Sequence, residues 1–130
     1  MMPLLLLAAA SAELQALDQA VVQCNRAVIN PAFSAESGRR SQFLLSSYQE
    51  QEALVEARLA LAERRRLLRE AAAKKNAEEE RAIGLEEALI EDRQRALNDK
   101  RMLEGLRQNA VDAMRRHYLA HCQNGKGKAE

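Results

Sequence analysis

The sequence contains no tryptophan and only two phenylalanines and two tyrosines, so aromatic residues make up 3% of its 130 residues. Prolines number two and glycines five. Basic residues (20) nearly cancel acidic residues (19), which leaves a net charge of +1 and no general attraction to nucleic acid or anionic membranes. A deep globular core is excluded by the lack of bulky side chains. What remains, rich in Ala, Leu, Glu, Arg and Gln, is the composition of long helices and coiled coils.

The first twelve residues, "MMPLLLLAAASA", carry no charge and end in the small-x-small pattern Ala10-Ser11-Ala12. Signal peptidase accepts this pattern after a short apolar run, and the run is too short to span a bilayer. The sequence therefore predicts a signal peptide over 1–12, cleavage before Glu13, and a periplasmic or secreted protein. No Lys or Arg precedes the run, although signal peptides normally begin with one. An apolar extension of the first helix in a cytoplasmic protein is the alternative.

Helical periodicity begins at Glu13. Leu14, Leu17 and Val21 recur at intervals of three and four, which predicts an N-terminal helix over 13–29. Pro31 disfavours helix in the residue before it, so we predict a Pro-containing junction over 30–38. Residues 39–122 contain no proline and read as helical throughout, and 123–130 form a flexible basic tail.

The long helical region predicts a hairpin. As one helix, 39–122 would extend for roughly 125 Å at 1.5 Å per residue. Two sets of apolar residues repeat at seven, and they pair antiparallel about a turn near Lys75-Asn76. This hairpin seam consists of Leu54, Leu61, Leu68, Ile83, Ile90 and Leu97. The predicted fold is all-α: a long antiparallel coiled-coil hairpin preceded by a short N-terminal helix.

The charges around the proposed turn reverse in sign. Residues 58–75 hold seven bases and two acids, whereas 76–93 hold seven acids and two bases. Folding between them places opposite charges side by side, and a parallel dimer would place like charges together. Two long helices pairing as an antiparallel homodimer would satisfy the same pattern and remain the alternative.

A second apolar stripe lies on the first arm of the hairpin, apart from the seam. This interaction stripe consists of Leu44, Tyr48, Val55 and Leu59. Because a single alanine-rich seam buries little apolar area, we expect a lone hairpin to be marginally stable. The stripe is therefore predicted to meet the N-terminal helix or another subunit.

Cys24 and Cys122 are the only cysteines. In an exported protein they are a disulfide candidate, whereas in the cytosol both remain thiols. A bond requires Cα atoms within about 7 Å of each other. If the N-terminal helix continues along the axis of the next helix, this distance is reachable. If it folds back, the cysteines are expected to miss by about twelve residues, roughly 18 Å.

Candidate motifs for catalysis or cofactor binding are few in this sequence. His117 and His121 have the i,i+4 spacing of paired zinc ligands, but they have no general base between them and no certain third ligand. The glycines fit no nucleotide loop, and no Ser, His and Asp spacing indicates a triad. The basic stretch "ERRRLLRE" is flanked by acids and lacks interleaved aromatics. We predict no catalytic, cofactor or metal site, no nucleic-acid partner, and no enzyme activity.

A signal-like start followed by long charged helices resembles the periplasmic coiled-coil chaperones of the Skp type. That family also has a β-rich trimerisation body, which has no counterpart here, so the resemblance assigns no residues. The expected function is that of a non-enzymatic exported coiled-coil protein acting by protein–protein interaction, as an envelope scaffold, adaptor or holdase. The alternative is a cytoplasmic coiled-coil regulator or nucleic-acid-associated adaptor.

Overall fold

The computed structural model describes residues 2–71 and 76–122, with side chains from residue 11 onward. These residues form three α-helices and no strand: α1 (Met2–Val22), α2 (Arg26–Glu70) and α3 (Ala77–His121). The two long helices α2 and α3 form an antiparallel hairpin, which confirms the predicted fold class. Lys75 of the predicted turn and the predicted tail over 123–130 lie outside the described residues. No helix in the described part of the chain combines the length and apolar character needed to cross a membrane.

Asn76 begins α3. Its side-chain Oδ1 accepts a hydrogen bond from the backbone N–H of Glu79 (3.2 Å), and its carbonyl accepts one from Glu80 (3.1 Å). This is the N-cap arrangement, in which a side chain satisfies a backbone donor of the first turn. The acidic run from Glu78 to Glu80 fills that turn, where negative charge interacts favourably with the helix dipole. Local chemistry thus fixes where the second arm starts.

The connection between α1 and α2 is a tight turn at Cys24, whose φ is 52°. The N–H of Cys24 bonds to the carbonyl of Val21 (3.1 Å), and that of Asn25 bonds to the carbonyl of Ala20 (2.8 Å). This pair of bonds is a Schellman motif, which normally has glycine in the left-handed position. The carbonyl of Asn25 then accepts from Val28 and Ile29 to begin α2. Chain reversal is complete within three residues.

The predicted N-terminal helix over 13–29 and junction over 30–38 are therefore wrong, because the helix break lies before Arg26 and α2 continues through Pro31. Pro31 is the sixth residue of α2, so its missing N–H deprives only one carbonyl, that of Ala27, of an intrahelical donor. Ile29 is fully buried and Phe33 packs against the same cluster on either side of the proline. This packing offsets the lost hydrogen bond.

The chain divides into two compact units, and α2 and α3 contribute to both. We call the first the three-helix unit (Met1–Ser41 with Leu103–Glu130) and the second the two-helix unit (Gln42–Met102). In the three-helix unit, α1, α2 and α3 share one apolar cluster. Its buried members are Leu17, Ala20, Val21, Ile29, Val111, Tyr118 and Cys122.

The two-helix unit has one apolar seam. Five of the six hairpin-seam residues are buried in a single cluster, from 0% exposed at Leu54 to 8% at Ile90. Leu68, the sixth, is half-buried and packs against that cluster. The structure thus brings together in one place all six residues of the hairpin seam.

Candidate interaction surface

The interaction stripe is open to solvent. Leu44 is 68% exposed, Tyr48 65%, Val55 44% and Leu59 65%. Helix α1 packs on the apolar cluster of the three-helix unit. Contact of the stripe with another surface stays a prediction. Contiguous exposed apolar side chains commonly mark a surface that meets another molecule.

An open groove of about 220 Å³ lies between the two arms of the two-helix unit. Ala62, three residues beyond Leu59 on the same helical face, lines the groove, and Leu61 and Ile90 supply apolar contact. One side carries Arg58 and Arg65 from α2, and the other carries Glu87 and Glu91 from α3. The groove and the stripe together make one face of the two-helix unit.

Ion pairs join the two arms near the end of the hairpin. Arg64 donates to Glu79 (2.8 Å) and to Glu86, and Arg65 donates to Glu87. Hydrogen bonds to Glu86 and then Glu79 raise the pKa of Arg64. Each of these contacts joins a basic residue of α2 to an acidic residue of α3, as the reversal of charge sign at the turn predicted. Exposed pairs of this kind contribute about 0–1 kcal/mol each, so they select the arrangement of the arms more than they stabilise it.

Cys24 and Cys122 are at disulfide distance. Their Cα atoms are 5.6 Å apart, although 98 residues separate them in sequence. Cys122 is fully buried. Arg26 donates a hydrogen bond to the carbonyl of Cys122 (2.7 Å), which satisfies a backbone acceptor at the end of α3.

The predicted path of α1 is wrong. We expected the cysteines to meet only if the N-terminal helix continued along the axis of the next helix. Helix α1 folds back along α2: Leu14 and Leu17 share a groove with Ala32 and Ala35. The sequence argument placed the reversal near Pro31, which would have separated the cysteines. Because the reversal occurs at Cys24 itself, this cysteine lies at the turn, beside the end of α3.

A charged cluster lies in the three-helix unit, centred on Glu36, whose side chain is only 12% exposed. Its carboxylate accepts hydrogen bonds from three guanidinium groups, those of Arg39 (2.9 Å), Arg40 (3.0 Å) and Arg107 (2.7 Å). Burial by itself would raise the pKa of Glu36, but the bonds from Arg39, Arg107 and Arg40 together lower it to about 2. This carboxylate is therefore held ionised inside the fold.

Glu104 is a second carboxylate in the same cluster, and it is buried, at 7% exposure. Arg39 donates a hydrogen bond to Glu104 from each of its two terminal nitrogens, with Nη1 2.9 Å from Oε2. The bond to Glu104 raises the pKa of Arg39, despite the desolvation that opposes it. Paired charges of this kind are the usual way to bury a carboxylate.

Sequence reasoning missed this cluster, although one signal was available. The seam of α3 repeats at seven-residue intervals through Ile83, Ile90, Leu97, Glu104, Val111 and Tyr118. All six are buried. The only charged residue in an otherwise apolar repeat is Glu104, and a charge at a seam position requires a buried partner.

His117 and His121 both lie exposed on α3, with ring centroids 4.3 Å apart. Within the described residues, no group of three or more His, Cys, Asp or Glu side chains converges to hold a metal ion. The nearby Cys122 is engaged with Cys24. The two imidazoles thus form a neighbouring pair at the helix end without a third ligand among the described residues.

No protein-family model, curated protein or solved structure matches the chain.

Proposed function

We propose that this chain is a non-enzymatic exported protein that acts by binding protein through its two-helix unit, as an envelope scaffold, adaptor or holdase. The interaction stripe carries this proposal. Four large apolar side chains on one helix, 44–68% exposed, are unfavourable in water unless another surface covers them.

The architecture of the described residues supports contact rather than catalysis. The grooves in the described part of the chain are open, and the one of about 220 Å³ lies between ion-paired arms without convergent polar groups that could activate a nucleophile. The strongly perturbed carboxylate, Glu36, is saturated by arginines. Its chemistry is that of a structural ion pair.

Two observations support export. Ser11 to Glu13, around the predicted cleavage site, are exposed, and among the α1 residues whose side chains are described (11–22) the first that packs on the apolar cluster is Leu14. Cleavage before Glu13 therefore leaves all the described packing of α1 intact. The disulfide-distance pair is compatible with an oxidising compartment, where such bonds persist.

Intact mass under non-reducing conditions tests export. The protein is expressed from its own start in a Gram-negative host, and the envelope and cytoplasmic fractions are measured separately. We expect an envelope product that begins at Glu13 and is two daltons lighter than its reduced form. A full-length cytoplasmic product with two free thiols would refute export and favour the cytoplasmic coiled-coil alternative.

Site-specific photo-crosslinking in cells tests protein contact. A photoreactive residue replaces Val55 in the stripe, and a matched control replaces Ala60, which is exposed on another face of the same helix. We expect crosslinked protein products from position 55 and few from position 60. Equal, low yields at the two positions would refute the stripe as a contact surface.

A further inference from the structure

The interaction stripe has a spacing that reads the same in both directions. Leu44 and Tyr48 are four residues apart, Tyr48 and Val55 seven, and Val55 and Leu59 four. A second copy of α2 laid antiparallel therefore places Leu44 opposite Leu59 and Tyr48 opposite Val55. We propose that two copies of this chain associate through the stripe, α2 against α2, about a two-fold axis near Gln51 and Glu52. This inference rests on the proposed function, because both assign protein contact to the same surface.

Two-fold symmetry is the reason a second copy fits better than an unrelated helix. An isologous interface requires that each patch be complementary to itself under a half-turn. Here every large apolar residue of the stripe meets another large apolar residue, with none left facing water. A stripe shaped for a different partner has no need of such symmetry.

The area available on the two-helix unit is also sufficient. The part of α2 within this unit, residues 42–70, is about 43 Å long at 1.5 Å per residue, and two adjacent helices are roughly 20 Å wide. The face is therefore roughly 850 Å², close to the ~800 Å² per partner of a standard specific interface. Pairing through this face would convert a two-helix hairpin into a four-helix bundle.

The position of Glu52 beside the stripe distinguishes this antiparallel arrangement from other dimers. Glu52 lies four residues after Tyr48 and three before Val55, so it borders the stripe at its midpoint. In the antiparallel pair, Glu52 of one copy comes near Glu52 of the other. A hairpin pair with both turns at the same end would instead place α2 against α3 and keep the two Glu52 residues apart.

The first test is the oligomeric state of the full oxidised chain by analytical ultracentrifugation. We expect a dimer for the wild type. Val55→Asp should weaken dimerisation by about 100-fold or more, because it buries an unpaired charge, and should leave the helical circular dichroism unchanged. Ala60→Asp, the matched control on another face, should remain dimeric. A wild type that is monomeric at every concentration tested would overturn the proposal.

The second test is the geometry of the pair. Glu52→Cys, with the native cysteines retained, should form a covalent dimer under mild oxidation, with the bond mapped to position 52 by peptide mass. Ala60→Cys should not. A dimer that crosslinks equally at both positions, or at neither, would overturn the antiparallel arrangement. A monomer whose position 55 still crosslinks to a different protein in cells would refute self-association and leave the proposed function standing.

Discussion

The two units of this protein are built from the same two long helices but are stabilised by different means. In the three-helix unit, α1 adds a third surface, and an aromatic contact joins Phe33 to Tyr118 (ring centroids 5.9 Å apart). Two carboxylates, one buried and one half-buried, pair there with arginines. The two-helix unit has the hairpin seam, ion pairs at its surface and a reciprocal pair of amide hydrogen bonds between Gln51 and Gln94. Nine of its large apolar side chains are substantially exposed: Leu44, Leu45, Tyr48, Val55, Leu59, Leu67, Leu85, Leu89 and Met102.

This difference follows from geometry. An isolated pair of helices can bury only one stripe on each partner, so any further apolar residues stay in water. A third helix covers a second stripe. The two-helix unit retains apolar residues that its own fold cannot cover, which is why the proposed protein contact is placed there.

The largest loss of stability is expected when a charge is placed in the hairpin seam of the two-helix unit. Leu61→Asp should cost at least about 4 kcal/mol, because it removes a buried leucine and buries a carboxylate. We expect amide hydrogen exchange to lose protection in the two-helix unit while the three-helix unit stays protected. Leu67→Asp, at a site that is 52% exposed, is the control. Equal protection in both variants would contradict the role of the seam.

Reduction of the cysteine pair should weaken the three-helix unit in particular. A crosslink across 98 residues contributes up to about 4.7 kcal/mol in the chain-entropy model, and 2–5 kcal/mol is typical for native bonds. The urea midpoint of the wild type should therefore fall on adding reductant. A Cys24→Ala/Cys122→Ala double variant should show no response. Identical wild-type midpoints with and without reductant would mean that the pair is not bonded.

Acid should reveal the buried charge cluster, which only the three-helix unit has. The pKa of Glu36 in the fold is about 2, below its ordinary value of 4.5. The unfolded chain therefore takes up a proton first, so the stabilisation is present above about pH 4.5 and is lost as the pH falls toward 2. We expect a loss of roughly 2 kcal/mol over this window.

Urea midpoints measured between pH 6 and pH 2 would test this expectation. Glu36→Gln should be less stable at neutral pH and should respond less to acid. Glu56→Gln, at an exposed carboxylate in the two-helix unit, should retain the wild-type profile. A Glu36→Gln profile parallel to the wild type would exclude Glu36 as the source.

A smaller effect concerns the backbone at the turn before α2. Residue 24 has a φ of 52°, a conformation that glycine adopts without the penalty of about 1 kcal/mol or more borne by other residues. With Cys122 replaced by alanine in both proteins, Cys24→Gly should be more stable than Cys24→Ala by about 1 kcal/mol. Thermal unfolding would measure this difference. A more stable Cys24→Ala protein would contradict the left-handed turn.

The smallest effect is expected at the surface ion pairs. Arg65→Ala removes the pair with Glu87 and should cost less than about 1 kcal/mol, because both groups remain largely solvated. Chemical denaturation at low and high salt would measure it, and the difference should shrink with salt. A loss comparable to that of Leu61→Asp would mean that charge, and not the seam, holds the arms together.

The sequence was sufficient to predict the hairpin, because its two determinants are periodic. Leucine and isoleucine at seven-residue intervals define the seam, and the reversal from Arg64 and Arg65 to Glu86 and Glu87 defines which arms pair. Both patterns depend on residue type and spacing alone. Neither requires knowledge of a particular backbone conformation.

The features that were missed depend on tertiary context. Pro31 is a helix breaker by local preference, but packing of its neighbours Ile29 and Phe33 overrides that preference. The turn at Cys24 places a residue other than glycine in the left-handed conformation. The sequence therefore lacks the glycine that usually marks the end of a helix. From the sequence alone, Glu36 and Arg39 cannot be told from residues on a solvated helical face. Their cluster depends on Arg107, which α3 brings into contact with Glu36.

The position of the cysteine pair has a topological consequence. Once bonded, Cys24 and Cys122 close a covalent ring, with α2 and α3 as its two sides and α1 as an arm outside it. Hydrolysis of one peptide bond, for example after Arg69 near the end of α2, would open the ring without releasing either half. The product would be a two-chain molecule joined at one end by sulfur and along its length by the seam. A nick that would divide an open chain into two fragments leaves this protein in one piece.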